Sequence, residues 1–246
     1  LVLEGASEHS STKSPTKAVL ENGQWRVTGE KQNVAFGAQA GGYVVLAQIE
    51  NADSGPPAGM FLVDRDDQDS AAIGMESYRL VDGSPASTVR LRDAAATPLL
   101  DLNVPESRSR TIAWITQAGI AAICADGLGA VEGAIGLTAE YIGNRRQFGK
   151  KISENQAVRH RIAEMLVNLE AIKSMSMLAA IACDDPQSTM ESDSSRAKLL
   201  LGLHGRKVLE DAIQLHGGIG MTEEYMVGHY LQRVLVADSA FGSADR

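Results

Sequence analysis

The hydrophobic pattern changes period near Pro105. Before it, short runs of β-branched and aromatic residues alternate with Gly, Pro, Asn and Asp, the mark of strands joined by turns. Ala18-Val19-Leu20 and Trp25-Arg26-Val27 flank Asn22-Gly23. Both turn residues tolerate positive φ, so this pair predicts a hairpin. Further strands are expected at 43–48, 60–63, 78–80 and 88–91, with polar turns at 51–58 and 64–70. The first part of the chain thus predicts a small antiparallel sheet or barrel.

After Pro105 the period becomes helical. Residues 107 to about 144 form one long segment with apolar positions at Ile112, Ile115, Ala118, Ala122, Ala125, Val131, Ile135, Thr138 and Ile142. A helix apolar on most sides belongs in the middle of a bundle. Ser153-x-x-Gln156 has the form of a capping box and predicts the start of a second helix. Its stripe of Val158, Ile162, Met165, Leu169 and Ile172 follows spacings of four, three, four and three. The Asp184-Asp185 pair and Pro186 are expected to end it. A third helix, from about Ser194, carries Ala197, Leu200, Leu201, His204, Val208 and Leu215 and stops at Gly217-Gly218. The predicted class is α+β: a β domain over 1–105, then an up-down bundle of long helices over 106–246.

Composition narrows the functional classes. The chain of 246 residues is 44% hydrophobic and 22% charged, an ordinary globular balance. A net charge of −8 argues against nucleic acid or an anionic membrane as partner. There is no run of eighteen apolar residues, and no membrane span is expected. Cys124 and Cys183, the only cysteines, both lie in apolar helical surroundings, which points to buried thiols in a reducing bacterial cytoplasm. The opening Leu1-Val2-Leu3-Glu4 lacks the regions of a signal peptide and looks like the interior of a longer chain.

Four constellations could carry chemistry. From Arg145 to Arg161 six Lys and Arg (145, 146, 150, 151, 159, 161) face one acid, Glu154. This is either a solvated face or a site for phosphate oxygens. Gln214-Leu-His-Gly-Gly-Ile-Gly220 is either a helix end or a side-chain-free bed for a flat ligand. It is neither a Rossmann loop, since no G-x-G-x-x-G follows a strand, nor an esterase site, since G-x-S-x-G is absent. Asp126, Glu132 and Glu140 fall at offsets that do not bring all three to one helix face. The five histidines are isolated, so metal ligation is not expected.

Several stretches, in order, resemble the acyl-CoA dehydrogenases. These are Ala125-Asp-Gly-Leu-Gly-Ala130, Tyr141-Ile-Gly-Asn-Arg-Arg-Gln-Phe-Gly149, Gln156-Ala-Val-Arg-His-Arg-Ile-Ala163, Gln214 to Gly220 and Met221-Thr-Glu-Glu-Tyr225. Upstream, Trp25-Arg-Val-Thr-Gly-Glu-Lys31 is similar to the hairpin of that family's β domain. The family's N-terminal helical domain has no counterpart in this sequence. The resemblance implies FAD as cofactor and oxidation of an acyl-CoA thioester to the trans-2-enoyl-CoA, with an electron-transfer flavoprotein as reoxidant. It assigns Arg145, Gln147 and Phe148 to a neighbouring subunit's FAD, with Gln156 assisting. It gives Gln214, Leu215, His216, Gly217 and Gly218 to the adenosine end.

Where the sequence departs from the family, the losses cluster. The aromatic-Glu-Gly motif that normally supplies the base reads Phe241-Gly242-Ser243. The alternative base position on the long helix is Gly119, and the next, commonly an arginine for CoA, is Ile120. The aromatic and threonine beside the flavin ring are Asn33 and Ala35. Glycine cannot accept a proton, so no catalytic residue is expected here. This pattern resembles one subunit of the bacterial α2β2 dehydrogenases of the pimeloyl-CoA or steroid side-chain type. It implies a second dehydrogenase-like subunit that binds the acyl-CoA and supplies the base. A homotetramer with a displaced base and a flavin-free structural protein are the alternatives.

Overall fold

The computed structural model describes residues 16–50, 58–67, 71–184 and 190–244. The expected turns at 51–57 and 68–70, the opening four residues, and the stop at Asp185-Pro186 lie outside the described residues. The chain divides into two compact units, one ending at Trp114 and one beginning at Ile115.

In the first unit, β1 (Lys17–Glu21) and β2 (Gln24–Ala35) form the expected hairpin, with Glu21 opposite Gln24. Asn22 and Gly23 have φ of 50° and 83°, the conformation a two-residue primed turn demands. The strands β3 (Gly42–Ile49), β4 (Ala58–Asp64), β5 (Ile73–Arg79) and β6 (Pro85–Pro98) complete the sheet. Pairing runs β2-β1-β3-β4-β6 and returns to β2, with β5 on the outside of β6. The sheet is therefore a closed barrel. It is not wholly antiparallel as expected: β1 and β3 pair in parallel through Lys17–Gln48 and Ala18–Ile49. Register shifts between Val27 and Gly29 and between Lys31 and Val34 bend β2 along β6, and such bulges let a sheet curl shut. Val27, Val45, Phe61, Val63, Val89 and Leu91 fill the interior. Lys31 is 1% exposed among them, its Nζ donating to the Leu46 carbonyl at 2.9 Å.

The second unit is built on α1 (Pro105–Asn144), which at 1.5 Å per residue is about 60 Å long. Proline fits the first helical turn, where its missing N–H has no helical partner. Next come α2 (Gln156–Asp184), α3 (Met190–Leu200), a π-helical turn over Leu201–Gly205, α4 (Arg206–His216), a 3-10 turn over Gly217–Met221 and α5 (Met226–Ser239). The expected third helix thus starts four residues early and carries a π turn in its middle. The Ser153 capping box does not form. Ser153 lies in a 3-10 turn, Ile152–Glu154. The Asn155 carbonyl instead accepts the first helical bond of α2, from the Arg159 N–H at 3.1 Å.

One core holds the helices together, with Val131, Met165, Ile172, Leu201, Val208, Leu209, Val227 and Val234 at its centre. The α2 stripe is as expected: Met165, Leu169 and Ile172 are buried. On α1 the buried line is Ile120, Ala121, Cys124, Val131, Ile135, Thr138 and Ile142, while Ala122 and Ala125, expected inside, are exposed. The helix is covered on one side only. Both long helices are apolar enough by length and composition to cross a membrane, although no uninterrupted apolar run signalled it. Their buried positions face the core. The outer face of α2 leaves Val167, Met177 and Ile181 exposed.

Candidate functional site

At the end of α1 the chain makes a second two-residue hairpin. β7 (Arg146–Gln147) pairs with β8 (Lys150–Lys151), placing Phe148-Gly149 at the turn with φ of 53° and 81°. These are the angles of the Asn22-Gly23 turn, and they suit asparagine far better than phenylalanine. A non-glycine residue in this region costs about 1–2 kcal/mol. The Phe148 side chain is nonetheless fully exposed. A strained apolar residue with nothing against it is a feature that stability within the chain does not explain.

Around it the charge is open. Arg161 pairs with Asp211 at 3.4 Å, and Arg159 donates to the Glu154 carbonyl. Arg145, Arg146 and Lys150 have no side-chain partner among the described residues. Gln147 and Gln156 are exposed beside them. The Arg161–Asp211 pair also ties the start of α2 to the second half of α4.

The Gln214–Gly220 segment lies at the end of α4. Gln214 is exposed, whereas Leu215 packs against the core. His216 is 3% exposed. The side chains of Leu215 and His216 are thus turned inward, which leaves only their backbone to meet a ligand. Gly217 breaks the helix at φ 64°, ψ −138°, angles open essentially to glycine alone. A Cβ added at Gly217 or Gly218 would meet nothing within 4 Å. The His216 ring stacks on Tyr141 with centroids 4.6 Å apart, and the Arg145 N–H donates to the Tyr141 carbonyl at 2.8 Å. The stack brings the two halves of the predicted site to the same end of the unit.

A free guanidinium, exposed glutamine amides, an exposed aromatic and an open glycine backbone make a donor set for a phosphate-bearing ligand with a flat ring. FAD fits that set. Glu154 is the one acid within the basic run, and its carboxylate accepts from the Lys151 N–H at 3.2 Å.

Gly119 and Gly242, the expected base positions, are arranged differently. Phe241 lies over Gly119, so a Cβ on Gly119 would come within 2.8 Å of the Phe241 ring. Gly242 has φ 102°, which any side chain would strain. Buried Lys198, 5% exposed, fixes this turn: its Nζ donates to the carbonyls of Asp238 (2.6 Å) and Gly242 (2.8 Å) and pairs with the Asp238 carboxylate. Asp238 in turn accepts from Ser243 Oγ and the Ala244 N–H. Burial lowers the Lys198 pKa, with Asp238 opposing that shift. Ile120 is in the core. In the barrel, Asn33 sits at φ 54° in the β2 bulge; its N–H donates to the Tyr78 hydroxyl, which donates back to Asn33 Oδ1.

The remaining acids do not converge. Asp126 pairs with Arg233 on α5 at 2.7 Å, and Glu132 with Lys173 on α2 at 3.4 Å. Glu140 precedes Tyr141 at the stacked end of the unit, where its charge, after burial, helps raise the Tyr225 pKa. Burial also pushes the Cys124 thiol up to about 11, against the opposing charge of Lys198. Cys183 is shifted upward by burial too. Neither thiol is primed as a nucleophile.

Linear sequence did not reveal the Tyr141–His216–Tyr225 stack, the Lys198 anchor or the Phe241–Gly119 contact. One signal was available for the hairpin: Phe148-Gly149 follows two polar residues and precedes two lysines, as a two-residue turn would.

Residues 112–245 match the acyl-CoA dehydrogenase C-terminal domain, more than half of the sequence. The chain belongs to the acyl-CoA dehydrogenase family. It is similar to the probable acyl-CoA dehydrogenase FadE25 of Mycobacterium tuberculosis, 25% identical over 230 residues that cover 93% of this chain and 58% of the relative. Among solved structures it is similar to a Tcur3481-Tcur3483 steroid ACAD variant, at TM-score 0.84 and 26% identity over 99% of this chain and 63% of that one. The ChsE4-ChsE5 complex from Mycobacterium tuberculosis shares the fold at TM-score 0.83 and 22% identity, over 99% of this chain and 62% of that one. The chain therefore spans about three fifths of the length of these relatives.

Proposed function

We propose that this chain is the FAD-supporting subunit of a heteromeric acyl-CoA dehydrogenase whose partner subunit supplies the catalytic base. Arg145, Gln147, Phe148, Gln156 and Gln214, with the backbone of Gly217 and Gly218, meet the diphosphate and adenosine of an FAD shared with the partner. Leu215 and His216 hold that backbone in place from inside. Held there, FAD would supply the hydride acceptor for oxidation of an acyl-CoA to the trans-2-enoyl-CoA, with the partner's carboxylate as the base for the α-proton and an electron-transfer flavoprotein as the reoxidant.

One observation carries the reading. Phe148 is held exposed in a strained turn beside an unpaired Arg145, while both base positions are glycines and Gly119 lies under Phe241. The exposed faces of α1 and α2 support assembly with a second subunit in an α2β2 arrangement. Likeness to the Tcur3481-Tcur3483 steroid ACAD favours a bulky acyl group such as a steroid side chain.

The test is flavin absorbance after expression with and without a dehydrogenase-like partner. Flavin bound only in the co-purified complex is the expected result. Flavin bound by this chain alone points to a homotetramer with its own displaced base, and no flavin in either case points to a structural role.

A further inference from the structure

His216 has a place in the fold that its motif does not explain. Its ring stacks on Tyr141, centroids 4.6 Å apart and planes 29° apart, and tilts against Tyr225 at 4.9 Å. Nδ1 lies 2.8 Å from the Ala212 carbonyl. A carbonyl only accepts, so Nδ1 carries the proton, and in the neutral ring Nε2 is a bare acceptor. That nitrogen is buried without a partner. The ring spans three segments: the last turn of α1, the end of α4 and Tyr225, the residue that opens α5. Gly220 completes the enclosure, since a Cβ there would lie 3.0 Å from that of His216 and 2.9 Å from the Ile213 carbonyl.

We propose that His216 is the positioning residue of the cofactor surface, locking the Arg145 hairpin and the Gly217-Gly218 backbone into one rigid face. Tyr141 is one helical turn before Arg145 and accepts its N–H. His216 is bonded directly to Gly217, whose conformation leaves the chain no side chain of its own to fix it. Without the ring between them, the two segments lose the one contact that joins the Tyr141 turn to His216 directly. The ligand contacts would then have to be ordered during binding, which weakens affinity without altering the chemical step. The inference rests on the reading of this surface as an FAD site, but the coupling itself can be measured without flavin.

The test compares His216→Ala with His216→Phe in the co-purified complex, by amide hydrogen exchange and by flavin titration. Ile172→Ala, a core truncation on the same unit, is the control. Loss of the ring should speed exchange about tenfold or more in both 145–152 and 217–221. Phenylalanine, which keeps the stack, should restore both segments. FAD affinity of His216→Ala should fall about tenfold, and His216→Phe should restore it. Exchange that rises in only one segment, or everywhere as in Ile172→Ala, overturns the proposal. Coupled exchange with FAD affinity unmoved in both His216→Ala and Arg145→Ala supports the coupling and removes the flavin reading instead.

Discussion

The helical unit has an open end and a closed corner, and they differ in what stands above their glycines. Above Gly217 and Gly218 there is nothing within 4 Å of where a side chain would begin; above Gly119 there is the Phe241 ring at 2.8 Å. Both hold a phenylalanine at positive φ, Phe148 at 53° and Phe241 at 56°, but Phe148 is fully exposed beside guanidinium groups unpaired among the described residues, whereas Phe241 packs on Gly119. The closed corner gathers stability, since Lys198 satisfies two carbonyls and a carboxylate at once. Strain is present at both, and only at the corner does a neighbour within the unit cover the strained ring. Glycine therefore means open space at 217, 218 and 242 and close packing at 119.

The largest test of that contrast concerns proton abstraction. If the corner is closed to chemistry, Asp126→Asn, Glu132→Gln and Glu140→Gln should each leave turnover of the complex within a few-fold of the parent. Replacing the partner's base should cost about 10²–10⁴ in rate. An amide substitution here that abolishes flavin reduction by acyl-CoA, with FAD still bound, would return catalysis to this chain.

Next in size is the anchor of the corner. Lys198→Met strands the Asp238 carboxylate in a largely buried setting and should lower unfolding free energy by about 3 kcal/mol, read from the denaturant midpoint. A change below 1 kcal/mol would mean the turn holds itself.

The same corner predicts a pH dependence. Cys124 is raised from 9.0 to about 11, so the folded state keeps a proton that the unfolded chain releases. Its contribution to stability is complete below pH 9 and is lost as pH rises towards 11, a loss of up to about 3 kcal/mol. Lys198, lowered from 10.5, works in the opposite direction, so the cysteine's share is the difference between the parent and Cys124→Ala. Identical alkaline profiles for the two would refute it.

At the open end, Arg145→Ala should weaken FAD binding by about 1.5–3 kcal/mol, as loss of a charge-assisted contact does, and Gln214→Ala by about 1 kcal/mol. Arg146→Ala is the control. Equal flavin content in all three would reduce the basic cluster to a solvated face. The smallest effect has opposite signs in two assays. Phe148→Gly should leave the isolated chain as stable or more stable by about 1 kcal/mol, because the strained φ is relieved. The same change should weaken association with the partner in sedimentation experiments. Loss of stability in the isolated chain would show that the ring packs within it.

The parts of the site that were legible in sequence are those set by local geometry. Asn22-Gly23, the helix stop at Gly217 and the α2 stripe depend on positive φ or on a 3.6-residue period, and both are properties of neighbours in the chain. The barrel was only half visible. The Ala-rich end of β6, Asp93 to Thr97, has little strand preference, and it becomes a strand because β2 and β4 offer ladders on its two sides. The polar stretch 30–35 continues β2 for the same reason.

By itself the sequence determined the two architectures, the family's motifs and the glycines at 119 and 242, because each is a matter of which residue occurs where. Closure of the barrel through a parallel seam, the side of α1 that is covered and the inward turn of His216 were decided only in the tertiary structure. So were the packing of Phe241 on Gly119 and the anchoring of its turn by Lys198. Each depends on a contact between residues far apart in the chain, and burial follows from what arrives opposite a side chain. A glycine's empty volume is written in the sequence, but whether it stays empty depends on the rest of the fold.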